Sequence, residues 1–270
     1  MNMTTRKWIG GLLAAGTLCA ACGVQAKTVE KAVDYSVADQ AYRGYVYYDT
    51  AGPKKRPVVL MVPNWMGTSE ANRRQARKIA GRDYVVFLAD MYGRDQQPAN
   101  PDAAGKLVGQ LYGNRLVLRT RVKAAKEQAQ AAVKKLKLPA NPDKIAAIGF
   151  CFGGSTVLEL ARTGEELNAV VSFHGNPSLD APAPGQPPKA RILVLHGDSD
   201  PYVPVAQINA FLDEMRAAKA DWQMMRFGGA VHSFTDPDAN QPGKAMYDPR
   251  ASKRAFEMMK DFLTESFAGR

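Results

Sequence analysis

Lys144-Ile145-Ala146-Ala147-Ile148-Gly149-Phe150-Cys151-Phe152-Gly153-Gly154-Ser155 is the stretch on which the fold turns. Lys144 to Phe150 reads as a short apolar strand, and Ser155 to Arg162 has helical character. Gly149 and Gly153 stand two residues before and two after Cys151. A strand that reverses straight into a helix crowds those two positions, and glycine has no Cβ to clash. Such a turn, a nucleophile elbow, holds its central residue in a strained backbone geometry with the side chain clear of the sheet edge. The first amides of the helix then face the sulfur, favouring thiolate and any oxyanion formed beside it. The same residues would also suit a plain glycine-rich turn around a packed cysteine, because free cysteine behaves as a small hydrophobe.

On either side the chain alternates strands and helices. Tyr42 to Tyr48 reads as an aromatic-rich strand, with residues near Tyr35 as its hairpin partner. Pro57 to Pro63, Tyr84 to Ala89, Ala169 to Phe173 and Arg191 to Leu195 are short continuous apolar runs, typical of strands covered on both faces. Trp222 to Phe227 is a further strand. Helical spacing covers Ser69 to Gly81, much of Asp102 to Leu138 with a break near Gly113-Asn114, Val205 to Lys219, and Pro249 to Phe267. This alternation predicts an α/β fold with a mainly parallel central sheet flanked by helices on both faces. The proline-rich stretch from Asn176 to Lys189 reads as a surface loop, Tyr92 to Gly105 as a cover over the sheet edge, and residues 27–270 as one domain.

Ligands of such sheets gather at the carboxyl ends of the strands. Cys151 follows one strand. Asp198 and Asp200 follow another, in His196-Gly197-Asp198-Ser199-Asp200-Pro201, and His232 follows the last, in Gly228-Gly229-Ala230-Val231-His232. Acyl transfer to sulfur needs thiolate, and an imidazole within reach can take the proton. A carboxylate must hold the other ring nitrogen, and amides must meet the oxyanion. Phe152 N–H is one such donor, and Trp65 N–H, in the loop after the Pro57 strand, is the other candidate. Each residue also has an ordinary alternative: a loop histidine, or aspartates capping a turn before proline. His174 and His196 also end strands and are read as structural. The order nucleophile, acid, histidine is that of α/β-hydrolases.

Together Gly149-Phe150-Cys151-Phe152-Gly153-Gly154, His196 to Pro204, Val231-His232-Ser233-Phe234 and Asp90-Met91-Tyr92-Gly93-Arg94 resemble the dienelactone hydrolase family of α/β-hydrolases, over nearly the whole chain after the first 26 residues. The resemblance implies a Cys151-Asp200-His232 triad, with Asp200 preferred over Asp198. It also implies cofactor-free hydrolysis of a lactone or ester, and a substrate-carboxylate role for Arg94. Two positions depart from the family. Asn64 stands where a thiol-activating glutamate is expected, so His232 has to deprotonate Cys151 directly and Asn64 is left as a substrate contact. Asp236 stands where a second arginine is expected, which argues against a dianionic or tightly clamped dienelactone.

The first 26 residues have another character: Arg6 and Lys7, an apolar run from Trp8 to Ala21, then Val24-Gln25-Ala26. They read as a secretory signal peptide with cleavage after Ala26, the run being short for a membrane span. An uncleaved anchor and a lipid on Cys22 are the weaker alternatives. Cleavage leaves Cys151 as the sole cysteine, so no disulfide holds the mature chain, and places the protein in the periplasm or outside the cell. Formal charge is +10, and removal of Arg6 and Lys7 leaves +8. Much of the excess lies on Arg115 to Lys137, read as a helix with a solvated basic face; no nucleic-acid module accompanies it. The sequence thus predicts an exported monomeric hydrolase of small esters or lactones, acting through an acyl-thioester on Cys151 with no metal or cofactor. A thiol redox sensor or binding protein on the same scaffold is the competing expectation.

Overall fold

A computed structural model describes Met1 and residues 27–179 and 186–269. The proposed signal peptide, including Cys19 and Cys22, and the centre of the proline-rich loop lie outside these residues. An eight-stranded sheet carries the fold, in the order β1-β2-β4-β3-β5-β6-β7-β8. β1 (Thr28–Val37) and β2 (Gln40–Asp49) form the antiparallel hairpin expected around Tyr35 and Tyr42, which are register partners. β2 pairs antiparallel with β4 (Val85–Leu88). From there the sheet is parallel, through β3 (Arg56–Val62), β5 (Ala140–Phe150), β6 (Ala169–Phe173), β7 (Arg191–Gly197) and β8 (Trp222–Phe227).

Continuous apolar strands bury both faces, and their alternation sends successive side chains to opposite layers. Val58, Leu60 and Val62 of β3 enter one core with Leu118, Val122 and Val157. Those partners come from α3 (Arg115–Lys135) and α4 (Phe152–Ala161), and α2 (Pro101–Gly113) and α5 (Val205–Ala217) pack on the same side. Val59 and Met61 enter the other core, with Ala76 of α1 (Glu70–Ala80) and Met259 and Leu263 of α6 (Pro249–Ala268). The sheet is thus sandwiched by helices, as the sequence pattern predicts.

Three details differ from the sequence reading. β5 begins earlier than Lys144, because Ala140 and Asn141 already pair with Arg56 and Pro57 before a register shift brings Val58 opposite Ile145. The basic face of α3 is not merely solvated. Arg119 pairs with the buried Glu159 of α4 at 2.8 Å, Lys126 with Glu165 at 2.8 Å, and Arg121 donates to the Met91 carbonyl at 2.8 Å. Part of the excess charge is therefore spent docking helices and a loop. Finally, β9 (Asn240–Gln241) and β10 (Ala245–Met246) form a small antiparallel ribbon just beyond the last parallel strand. Among the described residues no helix is long and apolar enough to cross a membrane.

Candidate active site

β5 ends at Phe150 and α4 starts at Phe152, leaving Cys151 alone in the turn with φ at +55°. That left-handed conformation is costly for a residue with a side chain, so surrounding contacts must impose it. A Cβ on Gly149 would lie 2.0 Å from the Gly153 carbonyl oxygen, and one on Gly153 would lie 2.2 Å from that of Val62. Neither position admits a side chain, so both glycines are required by the close approach of helix and strand. The Cys151 amide donates to the Phe173 carbonyl at 3.0 Å and to His174 Nδ1 at 3.1 Å, which fixes the elbow to β6.

His232 is brought to the sulfur by the segment after β8. Gly229, at φ +79°, turns the chain back, and His232 then bridges to Ala245 of β10. Its amide donates to the Lys244 carbonyl at 3.2 Å, and its carbonyl accepts from Met246 N at 3.0 Å. The ring is pinned between two partners. Nε2 lies 3.0 Å from Cys151 Sγ, and Nδ1 lies 2.7 Å from Asp200 Oδ2. The Asp200 side chain is fully buried, and its other oxygen accepts from Tyr202 N at 2.9 Å. Asp198 instead pairs with Arg226 at 2.5 Å. The residue pattern alone left the two acids open and the resemblance preferred Asp200, which is the acid that the geometry places on the ring.

Burial opposes a charged ring at His232, but the charge on Cys151 and the Asp200 carboxylate outweigh it and push this histidine up to about 10. It is therefore an imidazolium at neutral pH, the sign expected of a ring paired with two anions.

His174 sits beside this relay without joining it. Burial, aided by the charge of His232, holds it well below the ordinary histidine range, so it is neutral. With Nδ1 accepting from the Cys151 amide, Nε2 carries the proton and donates to Thr235 Oγ1 at 2.8 Å. His174 thus ties the elbow to the loop that carries His232, the structural part expected of it. His196 is also buried, and burial lowers it too.

The loop of Trp65, one of the two proposed oxyanion donors, is tied to a turn organised by the buried Asp90. Its Oδ1 accepts from the amides of Tyr92 and Gly93, both at 2.9 Å, and from Gln97 Nε2 at 2.8 Å. Gln97 Oε1 accepts from Thr68 N at 2.9 Å. The Tyr92 hydroxyl donates to the Trp65 carbonyl at 2.9 Å while its ring stacks on Phe152 at 5.7 Å. One tyrosine therefore touches both segments. Phe152 opens α4, and an amide in the first turn of a helix has no intrahelical acceptor. Tyr92 and Tyr112 are raised first by burial and next by the charge on Cys151, which marks both as close neighbours of the sulfur. The sequence did not single out Tyr112, which lies on α2 among ordinary helical residues.

Cys151 opens into a cavity of about 390 Å³ lined also by Trp65, Tyr202, His232, Asp236 and residues of the β9–β10 ribbon. Two expected substrate contacts do not line it. Arg94 projects at the surface and pairs with its neighbour Asp95 at 3.2 Å. The Asp90 turn has already spent its geometry on the cover loop, and no residue draws Arg94 inward. The Asn64 side-chain Oδ1 accepts from Met66 N at 3.0 Å and Asn72 Nδ2 at 2.8 Å, and the residue lines a neighbouring cavity of about 280 Å³. It shapes the loop that carries Trp65. Among the described residues no cluster of His, Cys, Asp and Glu is arranged to hold a metal ion.

Residues 42–267 match the family described as the dienelactone hydrolase family. A carboxymethylenebutenolidase homolog of Homo sapiens is 23% identical, the match covering 76% of this chain and 82% of that one. An uncharacterized protein of Caenorhabditis elegans is 38% identical over 152 residues, covering 53% of this chain and 94% of that one. The crystal structure of a dienelactone hydrolase-like promiscuous phosphotriesterase from metagenomic libraries superposes with a TM-score of 0.78 at 34% identity, covering 88% of this chain and 98% of that one. This chain belongs to the dienelactone hydrolase family and is an ester or lactone hydrolase with that family's α/β fold.

Proposed function

We propose that the protein hydrolyses small esters or lactones through an acyl-thioester on Cys151, with His232 and Asp200 completing the relay. The observation that carries this reading is the unbroken contact from sulfur to imidazole to buried carboxylate, at 3.0 Å and 2.7 Å. In this scheme His232 takes the proton of the Cys151 thiol across their 3.0 Å contact, leaving a thiolate beside an imidazolium. The thiolate attacks the ester carbonyl carbon, forming a C–S bond and placing negative charge on the carbonyl oxygen. The Phe152 and Trp65 amides receive that charge; donors of this kind contribute about 3–4 kcal/mol where removal has been measured in other enzymes. The tetrahedral intermediate collapses by breaking the C–O bond, and His232 gives its proton to the leaving oxygen. Neutral His232 then takes a proton from water, whose oxygen attacks the thioester carbon. The C–S bond breaks, thiolate and imidazolium return, and the acid departs. Asp200 holds Nδ1–H throughout, so Nε2 always faces the sulfur.

Asn64 takes no part as a base in this scheme, because its neutral amide cannot accept the proton and His232 lies 3.0 Å from the sulfur. The competing redox-sensor reading has less support, since a sensor needs a reactive thiol but no carboxylate-oriented proton donor. Export to the periplasm or beyond, action as a monomer and the absence of a cofactor remain part of the proposal, carried by the sequence of the first 26 residues and by the self-sufficient relay. The test is turnover of a panel of activated esters and lactones by the wild type beside Cys151→Ala and His232→Ala. The reading expects hydrolysis that both substitutions reduce by at least about 10³-fold, the scale of losing a nucleophile or its base. Rapid alkylation of Cys151 with no turnover of any member would favour the sensor.

A further inference from the structure

The charge of the Cys151 cavity points to a substrate class. No lysine or arginine is among its lining residues, whereas Asp236 and Asp238 are. Asp238 is balanced by Arg74 at 3.1 Å. Asp236 has no ion-pair partner among the described residues, and its Oδ1 accepts only the amide hydrogen of Asp238, at 3.0 Å. The cationic ring of His232 is already matched by Asp200 and the sulfur. Outside the relay, the residues lining the cavity therefore carry one uncompensated negative charge, that of Asp236.

Its walls add a second, independent feature. Trp65 and Tyr202 are 38% and 51% exposed, unusual for large aromatics in a chain that buries most of its rings. The Tyr202 ring stands edge-on to His232 at 5.3 Å, so it borders the reacting atoms. Aromatic faces carry negative quadrupole density and attract organic cations, and a nearby carboxylate reinforces them. A carboxylate-bearing substrate meets the opposite: an unpaired anion and no lysine or arginine to hold it.

We propose that this cavity selects esters bearing a cationic alkylammonium group, tolerates uncharged ones and rejects carboxylates, with Asp236 setting the sign of the choice. The proposal rests on the thioester reading for its chemistry. The experiment uses three 4-nitrophenyl esters of matched chain length, ending in trimethylammonium, methyl or carboxylate. At low ionic strength kcat/KM should fall in that order, with about tenfold between the extremes, the scale of one charge interaction near a partly solvated surface. Asp236→Asn keeps the oxygen that accepts from Asp238 N, so the turn survives while the spread collapses to within about twofold. A carboxylate ester that matches or exceeds the cationic one, or a spread unchanged in Asp236→Asn, overturns the proposal and leaves the thioester reading intact. A chain inactive on all three overturns the thioester reading instead, and the cavity is then read by protection of Cys151 from iodoacetamide. Protection by phenyltrimethylammonium and not by benzoate supports the assignment, and the reverse pattern overturns it.

Discussion

Replacing Asp200 by Asn isolates the electrostatic part of the relay. The amide is nearly isosteric and retains an oxygen for Tyr202 N, so the turn after β7 keeps its 2.9 Å hydrogen bond. What disappears is a buried negative charge 2.7 Å from His232 Nδ1. At a charge separation of about 4 Å and an effective dielectric of about 20, that attraction is roughly 4 kcal/mol. At 1.36 kcal/mol for each tenfold change, this corresponds to about three pH units and about 10³-fold in rate. In the wild type the imidazolium donates the proton to the leaving group. A histidine pushed up to about 10 therefore sustains kcat/KM to strongly alkaline pH, with a decline only beyond it. In the variant the alkaline limb should move down by about three pH units, and the plateau should fall by 10²- to 10³-fold, or about 3–4 kcal/mol. The assay is the pH profile of kcat/KM on an uncharged 4-nitrophenyl ester, paired with the pH dependence of Cys151 alkylation. Near-native activity with an unmoved alkaline limb would refute the reasoning, because the carboxylate would then not be what holds the ring charged.

Three further outcomes follow from the geometry. Gly149→Ala should cost about 3 kcal/mol or more of stability and displace the elbow, since its Cβ would lie 2.0 Å from a backbone oxygen that cannot retreat; urea denaturation checks this, and a loss below about 1 kcal/mol would contradict it. Tyr92→Phe removes only the hydroxyl that holds the Trp65 carbonyl. It should lower kcat about three- to tenfold with little change in KM, the scale of one hydrogen bond, whereas a purely structural role would move the melting temperature and leave kcat unchanged. Glu159→Gln weakens the partner of Arg119 and Arg162 in an almost dry setting, with Glu159 1% exposed. A destabilisation of about 2–3 kcal/mol is expected in denaturant melts, below the usual range for breaking a buried pair because Glu214 still holds Arg162 at 2.7 Å.

Much of this architecture was legible before any coordinates. β3, β4, β6 and β7 carry short apolar runs, broken at buried positions by Arg56, Ser172 and His196, and such runs announce themselves in sequence. The elbow was legible for a different reason: Gly149 and Gly153 are placed by a steric demand that only one turn geometry makes. What lay hidden depends on contacts between distant segments. The residues alone leave Asp198 and Asp200 open, with only the family resemblance preferring the second, and the position of Arg226 on β8 shows that the first is already paired. The two-residue strands β9 and β10 carry no period to detect, yet one of them fixes the backbone of His232. Arg94 was placed by resemblance to a motif, and the motif's structural content turns out to be the buried Asp90, which organises the loop. The basic residues of α3 looked like a solvated face because periodicity reports burial and is silent about which acids a neighbouring helix presents.

The account rests on sulfur as the atom that carries the acyl group, and intact-protein mass spectrometry during rapid turnover of an activated ester reads that directly. The chain should gain the acyl mass within the first turnover, on the peptide containing Cys151, and lose it at the rate of steady-state hydrolysis. The adduct should persist far longer when His232 is replaced. Full hydrolytic turnover with no mass ever appearing on Cys151, or with the acyl group found on another residue, would contradict it.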